Sequence, residues 1–296
     1  MLPAGRHSDK HLCPAHEGGP VATGAGNVET NSEAQARVAD RAECHGPPDF
    51  IVTGSGTVTV NSKPAARSTD KTMHQGSVVM GSGNVMIGGP TVGVTLGNPD
   101  AGKAACHAAS AGRHEVDGID PSGHPAHGRS SKQSYNNCGV ESSRILINRA
   151  TGKKLTEDEL LDWAIAHDKA DGPKEPTQPK TRGGTRPDQI EDILRAHGVE
   201  STQEPQQMEK LAQAVAEGKG VITSHTSATL WDNQSYASNH ALNVTGLMYD
   251  AEGKLVSVVT LDTGTGNCST IVPAGRYEKS LLSWPSHAVI TKKPVW

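Results

Sequence analysis

Aromatic side chains are nearly missing from the first 130 residues: Phe50 stands alone there, while the four Trp (163, 231, 284, 296) and four Tyr (135, 236, 249, 277) all come later. Aromatic residues bury the largest area per side chain. The N-terminal part therefore cannot build an ordinary core and needs another staple, either a metal or a repeat architecture. A length of 296 residues leaves room for a second domain beside it.

A repeat is visible once the glycines are aligned. Gly24-Ala-Gly-Asn-Val continues through Arg37, Asp40 and Cys44; Gly54-Ser-Gly-Thr-Val continues through Arg67, Asp70 and His74; Gly81-Ser-Gly-Asn-Val opens a third copy. Each copy reads as a tight turn followed by short alternating strands. Cys44 and His74 occupy one phase of the repeat, His16-Glu-Gly-Gly matches His74-Gln-Gly-Ser, and His11 lies just upstream. Imidazole and thiolate stacked at one phase make a tetrahedral site of the kind zinc prefers. A lone His of this sort is usually a surface residue; it is the shared phase, in a segment without a normal core, that favours a structural metal.

Pro64-Ala65-Ala66-Arg67, with Cys44-His-Gly-Pro-Pro-Asp before it and Thr72-Met-His74-Gln-Gly after it, resembles a PAAR-repeat protein over residues 1–98. The resemblance implies an all-β cone with a metal-capped tip, docked on the trimeric spike protein of a type VI secretion system. It also implies a ligand set of three His and one Cys, carried here by His11, His16, Cys44 and His74. Cys13 is an alternative to His11, and His45 a weaker rival to Cys44.

Residues 99–132 are rich in Ala, Gly, Ser and His with no apolar period, which predicts a flexible linker. Beyond it the pattern is α+β. Helices are expected from Cys138, from Thr156-Glu-Asp-Glu159 (a capping box), over Pro187–His197 and over Gln206–Glu217. Strands are expected at Gly220, over His240–Tyr249 and Lys254–Asp262 as a hairpin, and at His287. The five cysteines (13, 44, 106, 138, 268) are odd in number and scattered, which predicts a reduced chain with Cys106 and Cys268 as core residues.

Cys138 falls at the start of a helix, where exposed N–H groups and the dipole favour a thiolate. If Gly253 takes the left-handed position of a bulged turn, the hairpin register sets His240 and Asp262 on one face as base and orienting group. His225 is the alternative base, and Asp262-Thr-Gly could instead be a plain strand-ending turn. Gln133 is placed to donate to an oxyanion. Gln133, Cys138-Gly139, the Pro187–Gly198 helix, His240-Ala-Leu-Asn-Val-Thr-Gly and Asp262 together make residues 133–296 similar to papain-like peptidases of the C39-like group. Asn137 stands where an acidic residue is common, and Thr263 where a proline is.

The expected protein is thus a type VI antibacterial effector delivering a Cys-His-Asp protease, with zinc as a structural ion and no catalytic cofactor. Its expected partners are the spike, a cognate immunity protein and a protein substrate in the target cytoplasm. Peptidoglycan amidase or endopeptidase activity, deamidation, or a non-enzymatic adaptor role are the rival readings. A net charge of -4 and a pI of 6.4 exclude nucleic-acid coating and lipid-surface binding. No secretory signal is read at the N-terminus, and no apolar run is long enough to span a bilayer.

Overall fold

The computed structural model describes residues 1–110, 134–176, 181–236, 238–283 and 286–296. Contacts divide it into two compact units: Met1–Leu96 with Leu247–Val256, and Gly97–Gly246 with Ser257–Trp296.

In the first unit, backbone hydrogen bonds replace the missing aromatics. Gly5 N donates to Ala66 O, Ala66 N to Ala36 O, and Ala36 N to Gly5 O, each at 2.9 Å, so three turns close a ring. At each turn an arginine folds onto the aspartate three residues later: Arg6 on Asp9, Arg37 on Asp40 and Arg67 on Asp70, through Nε, Nη2 and the backbone N–H. The residues before the aspartates, Ser8, Ala39 and Thr69, share positive φ values of 68°, 65° and 74°. The Arg6–Asp9 copy is one that the glycine alignment left out, although Pro3-Ala-Gly-Arg6 echoes Pro64-Ala-Ala-Arg67. Small apolar residues (Val21, Ala36, Ile51, Ala66, Val78) fill the space within. The chain's first strand, Leu2–Pro3, pairs antiparallel with Met86–Ile87 of the third copy.

In the second unit the helices are α1 (Pro99–Ser110), α2 (Cys138–Thr151), α3 (Glu157–Ala166), α4 (Pro187–Ala196), α5 (Met208–Ala216), α6 (Ser227–Leu230) and α7 (Ala274–Ser280). The strands are β1 (Ser201–Pro205), β2 (Lys219–Thr226), β3 (Asn239–Tyr249), β4 (Leu255–Asp262), β5 (Asn267–Pro273) and β6 (His287–Pro294). They lie in the order β1-β6-β2-β3-β4-β5. The expected capping box at Thr156 forms, with Thr156 N donating to Glu159 Oε2 at 2.7 Å and Glu159 N to Thr156 Oγ1 at 3.3 Å. Strands β1 and β5, absent from the sequence reading, are edge strands ending on Pro205 and Pro273. Edges are where a proline does no harm to the ladder. α2 is buried from Gly139 to Ile147 and forms the spine of the main core, together with α3, α4 and the sheet.

Two expectations are corrected. Residues 99–110 are a helix, not a linker; Ala is the best helix former, and Cys106 and Ala109, three apart, both enter a core with Ile145 and Leu261. Residues 111–132 lie outside the described residues. The chain is also not fully reduced: Cys106 on α1 is disulfide-bonded to Cys268 on β5. Packing of α1 against β5 joins cysteines 162 residues apart, a proximity no spacing rule could give. Loop-closure entropy over that span is worth about 5 kcal/mol. Cys106→Ser is therefore expected to lower the Tm of this unit by about 10–20 °C. Reductant should lower the wild-type Tm by the same amount and leave the variant's unmoved; a wild-type Tm insensitive to reductant would remove the disulfide's stabilising role.

Candidate functional site

The first unit gathers a metal-type ligand set. Cys13 Sγ lies 3.1 Å from Cys44 Sγ, 3.5 Å from His74 Nδ1 and 3.8 Å from His16 Nδ1, and Cys44 Sγ lies 3.7 Å from His74 Nδ1. Edges of a zinc tetrahedron with S and N ligands run about 3.3–3.8 Å, so the four atoms stand at ligand separation around one centre. Two thiols and two imidazoles form a borderline-soft set that suits zinc chemically.

His11 lies outside this set, in which Cys13, its alternative, takes the fourth place; His11 instead groups with Cys13 and Asp49. The His11 ring is fully buried, with Nδ1 on Gly19 O at 2.9 Å and Nε2 3.4 Å from Asp49 Oδ2. Asp49 Oδ1 in turn accepts from the His74 backbone N–H at 3.0 Å. His11 and Asp49 thus support the cluster from behind. Asp49 was visible in the Cys44-His-Gly-Pro-Pro-Asp motif but had been given no role. His45 points outward and pairs with Glu17, both largely exposed, so it does not compete with Cys44.

The second unit brings Cys138, His240 and Asp262 together. Cys138 opens α2, and its Sγ accepts from the Ala241 N–H at 3.3 Å. β3 begins at the same place, so His240 sits beside the helix N-terminus and hydrogen-bonds Cys138. His240 Nε2 meets Asp262 Oδ1 at 2.8 Å. An ionised carboxylate only accepts, so Nε2 carries the proton and Nδ1 is left to face the thiol. Gly253 does take the left-handed position, with φ +76°.

The electrostatics are those of an ion pair. Burial would raise the Asp262 carboxyl, but the His240 charge and hydrogen bonds from His240, Trp231 Nε1 (2.7 Å) and Thr265 N outweigh it and hold the group at about 2. Burial works against protonated His240, yet Asp262 and Cys138 lift it to about 10. Burial likewise opposes the Cys138 thiolate, and His240 overcomes this and holds the thiol below its ordinary range.

His225, the alternative base, lies directly across the β2–β3 ladder from His240. Its ring is tied to Thr223 Oγ1 at 2.8 Å and Ser280 Oγ at 2.7 Å, and burial pushes it down to about 3. It is a neutral packing residue. Gln133 lies outside the described residues.

Two features were missed by sequence reading. Trp231, from the turn after α6, donates to Asp262 and lies 4.9 Å from the His240 ring, centre to centre; nothing in its local sequence marks it. Glu157, at the start of α3, is fully buried and accepts from Ser134 N, Ser134 Oγ and Asn137 Nδ2, tying down the residues that lead into Cys138. Burial, aided by the nearby Glu141 charge, raises its carboxyl to about 7. In sequence it is indistinguishable from a helix-dipole glutamate.

Residues 13–80 match the family model described as the PAAR motif. The chain is also similar to a crystal structure described as a C39-like peptidase from Bacillus anthracis, with 16% identity and a TM-score of 0.39, over 54% of this chain and 90% of that one. No curated protein matches. The chain thus carries a β-rich PAAR region followed by an α+β region.

Proposed function

We propose that this chain is a type VI secretion effector in which a PAAR-type tip delivers a cysteine peptidase. The observation that carries the reading is Cys138 at the first turn of α2, hydrogen-bonded to a His240 that Asp262 holds in one tautomer. In this reading the thiolate attacks a carbonyl carbon and the C–N bond breaks. His240 Nδ1–H protonates the departing nitrogen. Water then attacks the thioester, giving its proton to His240, and the thiolate leaves. Backbone N–H groups at the helix start, with Gln133 as side-chain donor, would hold the oxyanion.

The tip's chemistry fits a zinc ion on Cys13, His16, Cys44 and His74, supplying structure only. The proposed partners are the trimeric spike, the substrate and an immunity protein that shields the maker. Among the described residues no helix is long and apolar enough to cross a membrane.

The Cys106–Cys268 disulfide favours a second reading of where the enzyme acts. Disulfides persist in oxidising compartments, so a periplasmic target, peptide bonds of the cell wall included, fits better than the cytoplasm. Purified chain added separately to periplasmic and cytoplasmic extracts of a sensitive bacterium should create new peptide termini in the periplasmic one, read by mass spectrometry. Cleavage confined to the cytoplasmic extract would return the site of action there. Toxicity retained by Cys138→Ala would make the tail an adaptor.

A further inference from the structure

A cavity of about 280 Å³ opens beside Asp262 of the His240–Asp262 pair, its lining including Trp231, Tyr236, Thr270, Val272 and Arg276. Asp262 and Gly264 lie on the wall nearest the pair. A Cβ on Gly264 would stand 2.8 Å from His240 Cε1, so only glycine lets the wall come this close to the imidazole.

Among the described residues, two buried polar atoms of the lining have no hydrogen-bond partner: Arg276 Nε and Thr270 Oγ1. Among the described residues Arg276 has one loose ionic neighbour, Asp232 at 3.9 Å; the Arg276 side chain is 37% exposed and that of Asp232 82%, so it is the Nε edge of the guanidinium that is buried. Leaving a buried guanidinium N–H and a buried hydroxyl unmet is costly, and it is costly in a way that a ligand can relieve. The carboxylate of the lining, Asp262, is already committed. Its oxygens accept from His240, Trp231, Gly264 N and Thr265 N, and its charge faces the imidazolium. A second anion is therefore drawn to Arg276 and not repelled by an uncompensated charge.

The direction of the substrate follows from chemistry. In a thiol hydrolase the acyl half stays on Cys138, while the leaving nitrogen takes its proton from His240, so the leaving half runs along the histidine side. The cavity reaches the pair through Asp262 and through Gly264, which abuts His240 Cε1, and neither Cys138 nor any α2 residue lines it.

We infer, resting on the hydrolase reading above, that this cavity is a leaving-group subsite for a carboxylate-bearing residue of a peptide, held by Arg276 and Thr270 beside the aromatic pair Trp231 and Tyr236. The carboxylate can be an acidic side chain or a free chain terminus. Planar Arg–carboxylate pairing supplies the strength, and the Trp231 and Tyr236 rings pack the aliphatic stem.

The test is cleavage profiling of a peptide library derived from bacterial proteins, in one portion with free C-termini and in another with amidated ones. Acidic residues should be enriched after the scissile bond in both portions if a side chain is read. The preference should vanish on amidation if the chain terminus is read. Arg276→Gln should lower kcat/KM for the preferred peptides about 10- to 100-fold, chiefly through KM, with Arg276→Lys keeping part of the preference. Cleavage with no preference for carboxylates, or a preference that Arg276→Gln leaves intact, overturns the subsite. Iodoacetamide labelling of Cys138 in the same wild-type preparation reports the reactive pair independently. A Cys138 no more reactive than an ordinary thiol sinks the hydrolase reading itself, whereas rapid labelling without acidic preference sinks only the subsite.

Discussion

Cys138→Ala is expected to abolish peptide-bond cleavage, a loss of about ten-thousand-fold or more, because no other described thiol stands beside an imidazole–carboxylate pair at a helix start. The same pair predicts the labelling chemistry. Cys138 ionises below the ordinary thiol range of about 8.5, so iodoacetamide should modify it at pH 6 at least about tenfold faster than an unperturbed thiol, even allowing for the lower nucleophilicity of a stabilised thiolate. His240 keeps its proton until about pH 10. The ion pair is therefore lost as pH falls through the depressed thiol value and again as pH rises through about 10, which gives a bell-shaped profile with a broad neutral plateau.

His240→Ala should abolish both the fast labelling and the activity. Asp262→Asn should be about two orders of magnitude milder than loss of the thiol, because it orients and does not react. His225→Gln should disturb the Thr223–Ser280 network and stability without raising the thiol's pKa. Loss of fast labelling in His225→Gln, with its retention in His240→Ala, would reverse the assignment of the base. Uniform labelling of every free cysteine would remove the thiolate altogether.

Elemental analysis of the purified chain should find one metal ion, and Cys13→Ala should lose it while His11→Ala keeps it. The two variants separate the ligand sets. Cys13 Sγ stands at ligand distance from both Cys44 and His74, whereas His11 is spent on Gly19 O and Asp49. A structural zinc contributes about 10–16 kcal/mol to folding at neutral pH, far more than an aromatic-poor unit can replace. Loss of Cys13, Cys44 or His74 should therefore unfold the tip, seen as chelator-like loss of its circular dichroism signal. His11→Ala should weaken the metal about 10- to 100-fold as a supporting residue does. Since thiolates and neutral imidazoles are the binding forms, affinity should fall as pH is lowered. Metal retained by Cys13→Ala and lost by His11→Ala would restore the three-histidine set.

The sequence alone was enough to mark out what depends on local chemistry and on period. The repeat turns, the phase that joins His16, Cys44 and His74, the helix opening at Cys138, the capping box at Thr156 and the left-handed Gly253 are all written in neighbouring residues. So is the hairpin register that sets His240 and Asp262 on one face, because a turn type and a two-residue alternation determine it.

Tertiary structure decided what depends on distant segments meeting. Cys13 and His11 lie two residues apart with equally plausible chemistry, and it is the packing of the Asp49 segment that sets Cys13 with His16, Cys44 and His74 and holds His11 against Asp49. Cys106 read as a reduced core thiol until α1 folded against β5 and met Cys268. Trp231, Glu157 and Arg276 have no local signature, because each owes its role to a partner brought from another element: Asp262, Asn137, and the cavity wall at Thr270. A side chain's type is local, whereas its burial and its partner are set by the whole fold, and these last two decide whether a group stays idle or becomes part of a site.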